Sequence, residues 1–442
     1  MNWANEEFES ADLGDQRNNA RLIKLMDDLS ANIGASIPQC CDGWAATKAG
    51  YRFLDNPNVE WPAILSPHRD KTIERMQGYN RVLCVQDTTE LDFTGHPNMQ
   101  GLGRLNHDYR QGMYCHPTLA VSETGVVLGV VDAWMWARKP KGEDDIRESV
   151  RWTEGYERVA ELKPLVGTTE LMYVGDRESD IRELMTAAHN CGHSAHWLVR
   201  AKHNRVTDDG KVWDRLGTKC ILGTVQFSLP RTAKRNGRMV ELNLRVERVT
   251  LPATRNAPAV EVTAILARED NPPPGETRIE WRLLTDEIVT SLEEAVLRID
   301  WYRLRWMIEI FFRTLKSGCK VEELQLNTKD RLEKALVIYM ILAWRVLLLV
   351  TLGRQLPDLS CEIVFSSEEW QAAWIVKKKT PLPSPPPTLG EMVLIIASFG
   401  GFLGRKGDSA PGAEVLWRGL QRVRDFSEGI SAVTQSYELK LE

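Results

Sequence analysis

The chain has 442 residues, 43% hydrophobic and 26% charged, with a formal net charge of −5. That length suggests two or three domains and that apolar content supports a sizeable core. The charge excludes a uniformly basic nucleic-acid binder, so such binding must come from local patches. The eight cysteines are scattered without a CxxC pair, which argues against zinc and redox motifs and fits a reducing cytoplasm.

Residues 1–70 are expected to be helical. The opening MNWANEEFESADLGD has no apolar signal-like run. The segment LGDQRNNARLIKLMDDLSANIG (13–34) has apolar residues at helical spacing and ends on Gly34; GWAATKAGYRFLDNPNV (43–59) is a second helix stopped by Asn-Pro. Arg17, Arg21, Lys48 and Arg52 make this a small DNA-binding bundle or a solvated helical face. The character then changes. RVLCVQD (81–87) is a short apolar run ending in Asp87, and HPTLAVSETGVVLGVVDAWMWAR (116–138) reads as two strands around a Ser-Glu-Thr-Gly turn. LMYVGDRESDIRELMTAAHNCGHSAHWLVRAK (171–202) reads strand, helix, strand, which implies a βαβ unit in a mixed sheet. Asp87 and Asp176 each follow a buried strand, at the edge where open α/β sheets build sites.

From about 205 to 288 the pattern is strand-rich: GTVQFSLP, MVELNLRVERVTL, AVEVTAILARED and RIEWRLLTD. Ten Lys or Arg stand against three Asp between Arg200 and Arg238, with PRTAKRNGR (230–238) as a hairpin tip that is either a solvated loop or a phosphate-contacting arm. WYRLRWMIEIFFRTLK (301–316) reads as one helix. Leu304, Ile308, Phe311 and Leu315 share one face. At about 100° per residue, Tyr302, Arg305, Glu309 and Lys316 fall on a second strip roughly 60° wide. Intrahelical pairing of Arg305 with Glu309 is one explanation for that strip. LVIYMILAWRVLLLVTL (336–352), interrupted by Arg345, reads as a buried helix rather than a membrane span. A Pro-rich, basic stretch, KKKTPLPSPPPTLGE (377–391), then separates a C-terminal segment too small to fold alone, which must dock on the core, on a partner chain, or on both.

Asp87, Asp176 and Glu309 come from three separate elements. Three converging carboxylates can hold two divalent ions about 4 Å apart, and oxygen ligands are what Mg²⁺ and Mn²⁺ prefer. With 61 acidic residues many such triples exist, so the positions at strand ends matter more than the count.

The spacing Tyr302, Arg305, Glu309, Lys316 resembles the YREK signature of bacterial cut-and-paste DDE transposases. QDTTELDF is similar to the family's first-Asp motif and GDRESDI to its second. GYRFLDNPNV (50–59), LVRAKHNR (198–205), NPPPGETRIEWRLLT (271–285) and GGFLGRK (400–406) have counterparts in order, so the resemblance covers nearly the whole chain. It is nearest the Tn-five type within the insertion-sequence-four group.

The resemblance implies an α/β (α+β) fold. An RNase H-like catalytic core (71–350) carries a β-rich insertion (about 205–288). A helical DNA-end-binding segment (1–70) precedes it. A helical dimerisation region (351–442) follows, with the Pro-rich linker at 380–388. It implies Asp87, Asp176 and Glu309 as catalytic ligands of two Mg²⁺, with Mn²⁺ able to substitute. Tyr302, Arg305 and Lys316 would hold phosphates and the displaced strand. Trp281 matches a tryptophan that stacks on a flipped base during hairpin formation; core packing in a strand is its other reading. Arg200, Arg313, Arg21, Arg52 and Lys406 match DNA-contact positions. The partners implied are double-stranded DNA, as inverted-repeat ends and target, and a second copy of the chain; no membrane is implied. The expected place is the cytoplasm, on nucleoid DNA. Asn18, Ala31, Asn32 and Gln325 stand where the best-known relative has basic or aromatic end-reading residues, so the DNA end read is expected to differ. A structure-selective nuclease on the same core and a non-catalytic regulator of transposition are the rival readings.

Overall fold

The computed structural model describes residues 3–139, 147–229 and 237–438. Helices α1 (Trp3–Glu7), α2 (Gln16–Ala31), α3 (Ile37–Cys40), α4 (Gly43–Leu54) and α5 (Trp61–Met76) come first. Strands β1 (Arg81–Gln86), β2 (Thr89–Asp92), β3 (Gly103–Arg104), β4 (Gln111–Ser122) and β5 (Val127–Trp136) follow. Next are α6 (Val150–Ala160), β6 (Glu170–Gly175), α7 (Arg182–Asn190), β7 (His196–Arg200), the short strands β8 (Val206–Thr207) and β9 (Gly210–Lys211), and α8 (Val212–Leu216). Strands β10 (Gly223–Leu229), β11 (Arg238–Leu251), β12 (Val260–Arg268) and β13 (Glu280–Thr285) lead into α9 (Leu292–Leu304) and α10 (Trp306–Arg313). Helices α11 (Lys329–Gln355), α12 (Ser367–Lys378), α13 (Leu389–Phe399) and α14 (Ala413–Glu438) end the described chain. Two compact units result: Met1–Arg75 with Thr88–Asp145 and Met307–Glu442, and Met76–Asp87 with Ile146–Trp306.

The second unit is built on a mixed sheet. Strands β1, β6 and β7 are parallel, with Val82 opposite Leu171 and Met172 opposite His196. Their cores are continuous buried runs, as strands covered on both faces require. The β6–α7–β7 crossover is the expected βαβ unit. Beyond β7 the sheet continues antiparallel through β13, β12, β11 and β10. These four strands are the β-rich insertion, each within two residues of its expected start. The basic tip at 230–236 lies outside the described residues.

In the first unit, α2 starts on Asp15, whose carboxylate accepts from Arg17 N at 2.8 Å, and buries Leu22, Leu25, Met26 and Leu29 along one stripe. The long hairpin β4–β5, with β2 and β3 beside it, is antiparallel throughout. Helix α11 runs against that hairpin: Trp344 Nε1 donates to Val127 O at 3.1 Å, and Val127 N donates to Thr351 Oγ1 at 3.2 Å. It is long and apolar enough to cross a membrane by composition, yet 89% of its apolar window is buried within the protein, as expected of a core helix.

One expectation fails. Residues 301–316 are not a single helix. Helix α9 ends at Leu304 with Arg305 as its C-cap, α10 runs from Trp306 to Arg313, and Thr314–Gly318 is a wider π turn. Arg305 N bonds back to Tyr302 O at 3.1 Å, a three-residue step that interrupts the regular ladder. Tyr302 is also buried, at 7% exposure, rather than lying on an outward polar stripe.

Candidate active site and nucleic-acid interface

The site is set up by strand register. Val85 pairs with Val174 across β1 and β6. Asp87 and Asp176 each lie two residues further on, so they leave neighbouring parallel strands at one level and on one face, about 4.8 Å apart strand to strand. Gly175 pairs with Val199, which brings Arg200 level with Asp176. Arg200 pairs with Leu283 of the antiparallel β13, and Ala201 N donates to Arg282 O at 2.8 Å. Trp281 therefore lies just past that point, on the same edge. Within this unit Asp87, Asp176, Arg200 and Trp281 line one sheet edge across four adjacent strands.

Local chemistry fixes each side chain. Gly175 is required because a Cβ there would collide with Ser179 Oγ. The chain then turns: Asp176 Oδ1 accepts from Glu178 N at 2.7 Å, and Ser179 Oγ donates to Asp176 O at 2.7 Å. Arg305 donates through Nη1 to Asp87 Oδ2 at 2.6 Å, with side chains 12% and 20% exposed. Burial pushes the Tyr302 phenol up, opposed by the cations of Arg305 and Arg200 and aided by Asp176. Its hydroxyl has no hydrogen-bond partner among the described residues. Trp281 is half-buried and stacks on Phe227 with centroids 6.0 Å apart and planes 23° apart.

The first unit holds the remaining residues. Glu309 is half-buried on α10, Arg313 is exposed at its end, and Lys316 lies in the π turn with its Nζ 3.5 Å from Glu322 Oε1. Lys406 is exposed in the loop between α13 and α14. Arg21 and Arg52 help line a cleft of about 1060 Å³ between α2 and α4, with Asn18, Asn56 and Asn58.

The residues 83–345 match the family model "Transposase DDE domain", more than half of the chain. The chain belongs to the DDE transposases. Residues 1–59 match "Transposase DNA-binding" and 341–439 match "Transposase Tn5 dimerisation domain". The cryo-EM structure titled piggyBac transposase synaptic complex with hairpin DNA is similar at 8% identity and a TM-score of 0.38, over 80% of this chain and 72% of that one; that likeness is too loose to bear on function. The transposase is thus a metal-dependent DNA-cutting and strand-transfer enzyme with an RNase H-like catalytic core, a DNA-binding segment and a dimerisation region.

DDE transposases use divalent metal ions. Asp87 and Asp176 offer oxygen donors side by side, the chemistry a hard divalent cation takes. Among the described residues no three His, Cys, Asp or Glu side chains come together as a metal cluster. One oxygen of Asp87 faces Arg305 and one of Asp176 faces the Glu178 amide.

Two residues of this transposase site escape sequence reasoning. Asp180 is fully buried and holds the loop after β7: it accepts from Lys202 N at 2.8 Å and His203 N at 3.0 Å and pairs with Arg205 at 2.5 Å. It stands in the quoted GDRESDI, four residues past Asp176, so the motif carried a signal for it. Arg151 on α6 reaches Glu178 Oε2 at 2.7 Å. Burial pulls its pKa down against the pull of Glu178, Glu148 and Asp176, and nothing in its local sequence marks it.

Proposed function

We propose that this chain is a cut-and-paste transposase of the YREK type, in the insertion-sequence-four group. The observation that carries the reading is the shared register of Asp87 and Asp176 with Arg305 held on Asp87. Residues 1–70 bind the terminal inverted repeats, 71–350 do the chemistry, and 351–442 join two copies, so that both ends are held together. The protein works in the cytoplasm on nucleoid DNA.

Asp87, Asp176 and Glu309 hold two Mg²⁺, or Mn²⁺ in its place. Bound there, such a pair would supply positive charge to both the attacking and the leaving oxygen. Arg305, Lys316 and the Tyr302 hydroxyl hold phosphates and the displaced strand, Trp281 takes the flipped base, and Arg200, Arg313, Arg21, Arg52 and Lys406 contact DNA. Hydrolysis of one strand leaves a 3′-hydroxyl. That hydroxyl attacks the opposite strand and forms a hairpin, water opens the hairpin, and the freed 3′-hydroxyl attacks target DNA. Each step is an in-line displacement at phosphorus.

The test uses the DNA flanking this gene with its terminal repeats, purified protein, and Mg²⁺ or Mn²⁺, beside Glu309→Gln. Metal-dependent nicks, hairpins and joined products at the repeat boundary are expected for wild type. The variant should bind and do nothing further. Cleavage by the variant overturns the assignment of Glu309. Cutting without joining points to a nuclease, and binding without cutting to a regulator.

A further inference from the structure

The β-rich insertion joins the core sheet along the seam between β13 and β7. That seam is short: Leu283 pairs with Arg200, Leu284 with Val199 and Thr285 with Leu198. So few pairs specify register weakly, and a slip to the next like-facing register would carry β13 about 7 Å along β7. A side chain takes over where the backbone pairing stops. Asp286 Oδ1 accepts from Trp197 N at 2.8 Å, and Oδ2 accepts from His196 Nδ1 at 2.9 Å and from His193 Nδ1 at 3.0 Å. An ionised carboxylate can only accept, so both rings carry their proton on Nδ1. The Asp286 side chain is 4% exposed. A buried carboxylate needs such partners, and shifting β13 along β7 would part it from all three.

The surrounding charges are paired among themselves. The cluster opens on a cleft of about 630 Å³ with His189, Arg248, Glu261, Glu287 and Arg298. Glu287 is taken by Arg81 at 2.8 Å and Arg298 at 2.9 Å, and Arg248 by Glu261 at 3.6 Å and the Asp286 carbonyl at 2.8 Å. His189 stands edge-on to His193 with centroids 6.3 Å apart. Glu170 on β6 is within electrostatic reach of His196, and Tyr156 on α6 of Asp286. The Asp286 hydrogen bond raises the His196 pKa against burial, with the charges of Asp286 and Glu287 adding and Arg81 opposing. Burial would raise the Asp286 carboxyl, but the hydrogen bonds from His193, His196 and Trp197 N hold it below the usual carboxylate range. A raised imidazole contributes in full below its ordinary value of about 6.5 and loses that contribution as pH climbs through its folded value. The lowered carboxyl stays ionised throughout that window, so His196 alone makes the cluster slacken toward alkaline pH.

We propose that Asp286 is a positioning residue of the hairpin step: its carboxylate, shared by His193 and His196, fixes the register of β13 on β7 and so holds Trp281 beside Arg200 at the catalytic edge. Trp281 lies five residues up the strand, about 17 Å away, so Asp286 acts through the seam and touches no DNA. Asp87 and Asp176 sit on β1 and β6, which pair with each other, so first nicking does not depend on the seam. This rests on the roles proposed for Trp281 and Arg200.

The test scores first nicks and hairpins separately on repeat-ended DNA for full-length wild type, Asp286→Asn, His196→Asn, Trp281→Ala and the double variant of Asp286→Asn with Trp281→Ala. Asp286→Asn keeps an acceptor for Trp197 N and removes the charge. It should nick within about threefold of wild type and form hairpins about ten- to a hundredfold more slowly. The double variant should form hairpins within about threefold of Trp281→Ala, since a residue acting through Trp281 adds little once the indole is gone. From about pH 6 to about pH 8 the hairpin-to-nick ratio of wild type should fall relative to His196→Asn, whose side chain keeps a donor and does not titrate. Equal loss of nicks and hairpins in Asp286→Asn, full additivity in the double variant, or a wild-type ratio parallel to that of His196→Asn overturns the positioning role. Wild type that nicks without hairpins, or Trp281→Ala that spares them, overturns the hairpin reading, and the proposal with it.

Discussion

Glu7→Gln is the sharpest probe of how the N-terminal segment is seated. Glu7 is buried on α1, with Oε1 2.5 Å from His68 Nδ1 and both oxygens 2.9 Å from the Arg75 guanidinium. Arg75 Nε in turn donates to Leu128 O at 2.7 Å, and His68 Nε2 accepts from Val130 N at 3.0 Å. Burial alone would raise the Glu7 carboxyl, but His68 and Arg75 outweigh it and hold the pKa at about 2 against an ordinary 4.5. That gap corresponds to about 3 kcal/mol, in line with the cost of breaking a buried pair by removing one partner. The depressed carboxyl contributes in full above its unfolded value and loses its contribution as pH falls from 4.5 toward 2. Burial lowers His68, only partly opposed by Glu7. A ring kept neutral in the fold loses stability as pH drops below about 6.5, so the two groups act in the same direction. Urea unfolding at pH 7.5 should therefore show the variant about 3 kcal/mol less stable. The gap should narrow as both proteins are taken below pH 4.5. A loss below about 1 kcal/mol at pH 7.5, or a gap that ignores pH, refutes the account.

Three further outcomes follow from other contacts. Lys316→Ala should weaken DNA binding and lower the salt slope by about one; an unchanged slope makes Lys316 a structural partner of Glu322. Trp281→Ala should stall hairpin formation more than first nicking, and equal loss at both steps favours packing on Phe227 as its role. Lys334, buried at 1% exposure, donates to Asn56 O at 2.9 Å and Leu54 O at 3.3 Å. Lys334→Met takes this donor from both carbonyls, although Asn56 O keeps Val59 N at 3.2 Å, and removes the pair with Asp330; it should cost about 2 kcal/mol by urea midpoint, and a loss near zero means water replaces the ammonium.

Several elements were legible because their signals are local. Asp87 and Asp176 were marked by buried runs ending in an acid, and strands β10 to β13 by alternation and apolar content. The segment 301–316 misled because a helical wheel assumes an unbroken ladder. Neither the tight step at Arg305 nor the π turn has a residue signature, and the wheel's polar strip treated Tyr302 as outward. What buries that phenol is tertiary: Arg305 answers to Asp87, 218 positions away, and Arg200 arrives from β7. Arg151 was invisible for the same reason, since its partner Glu178 lies in another element.

Helix α11 belongs to both matched segments: the DDE match ends at 345 and the dimerisation match begins at 341. Its first turns hold the end of α4 through Lys334 and Arg331, and Arg354 near its far end donates to Pro411 O at 2.7 Å. Those grips are about 30 Å apart along one rod. The border between modules is therefore a lever and not a hinge. A tilt of about 10° at one grip displaces the other by about 5 Å over that length, so the seat of the DNA-binding helices and the seat of the dimerisation helices move as one variable.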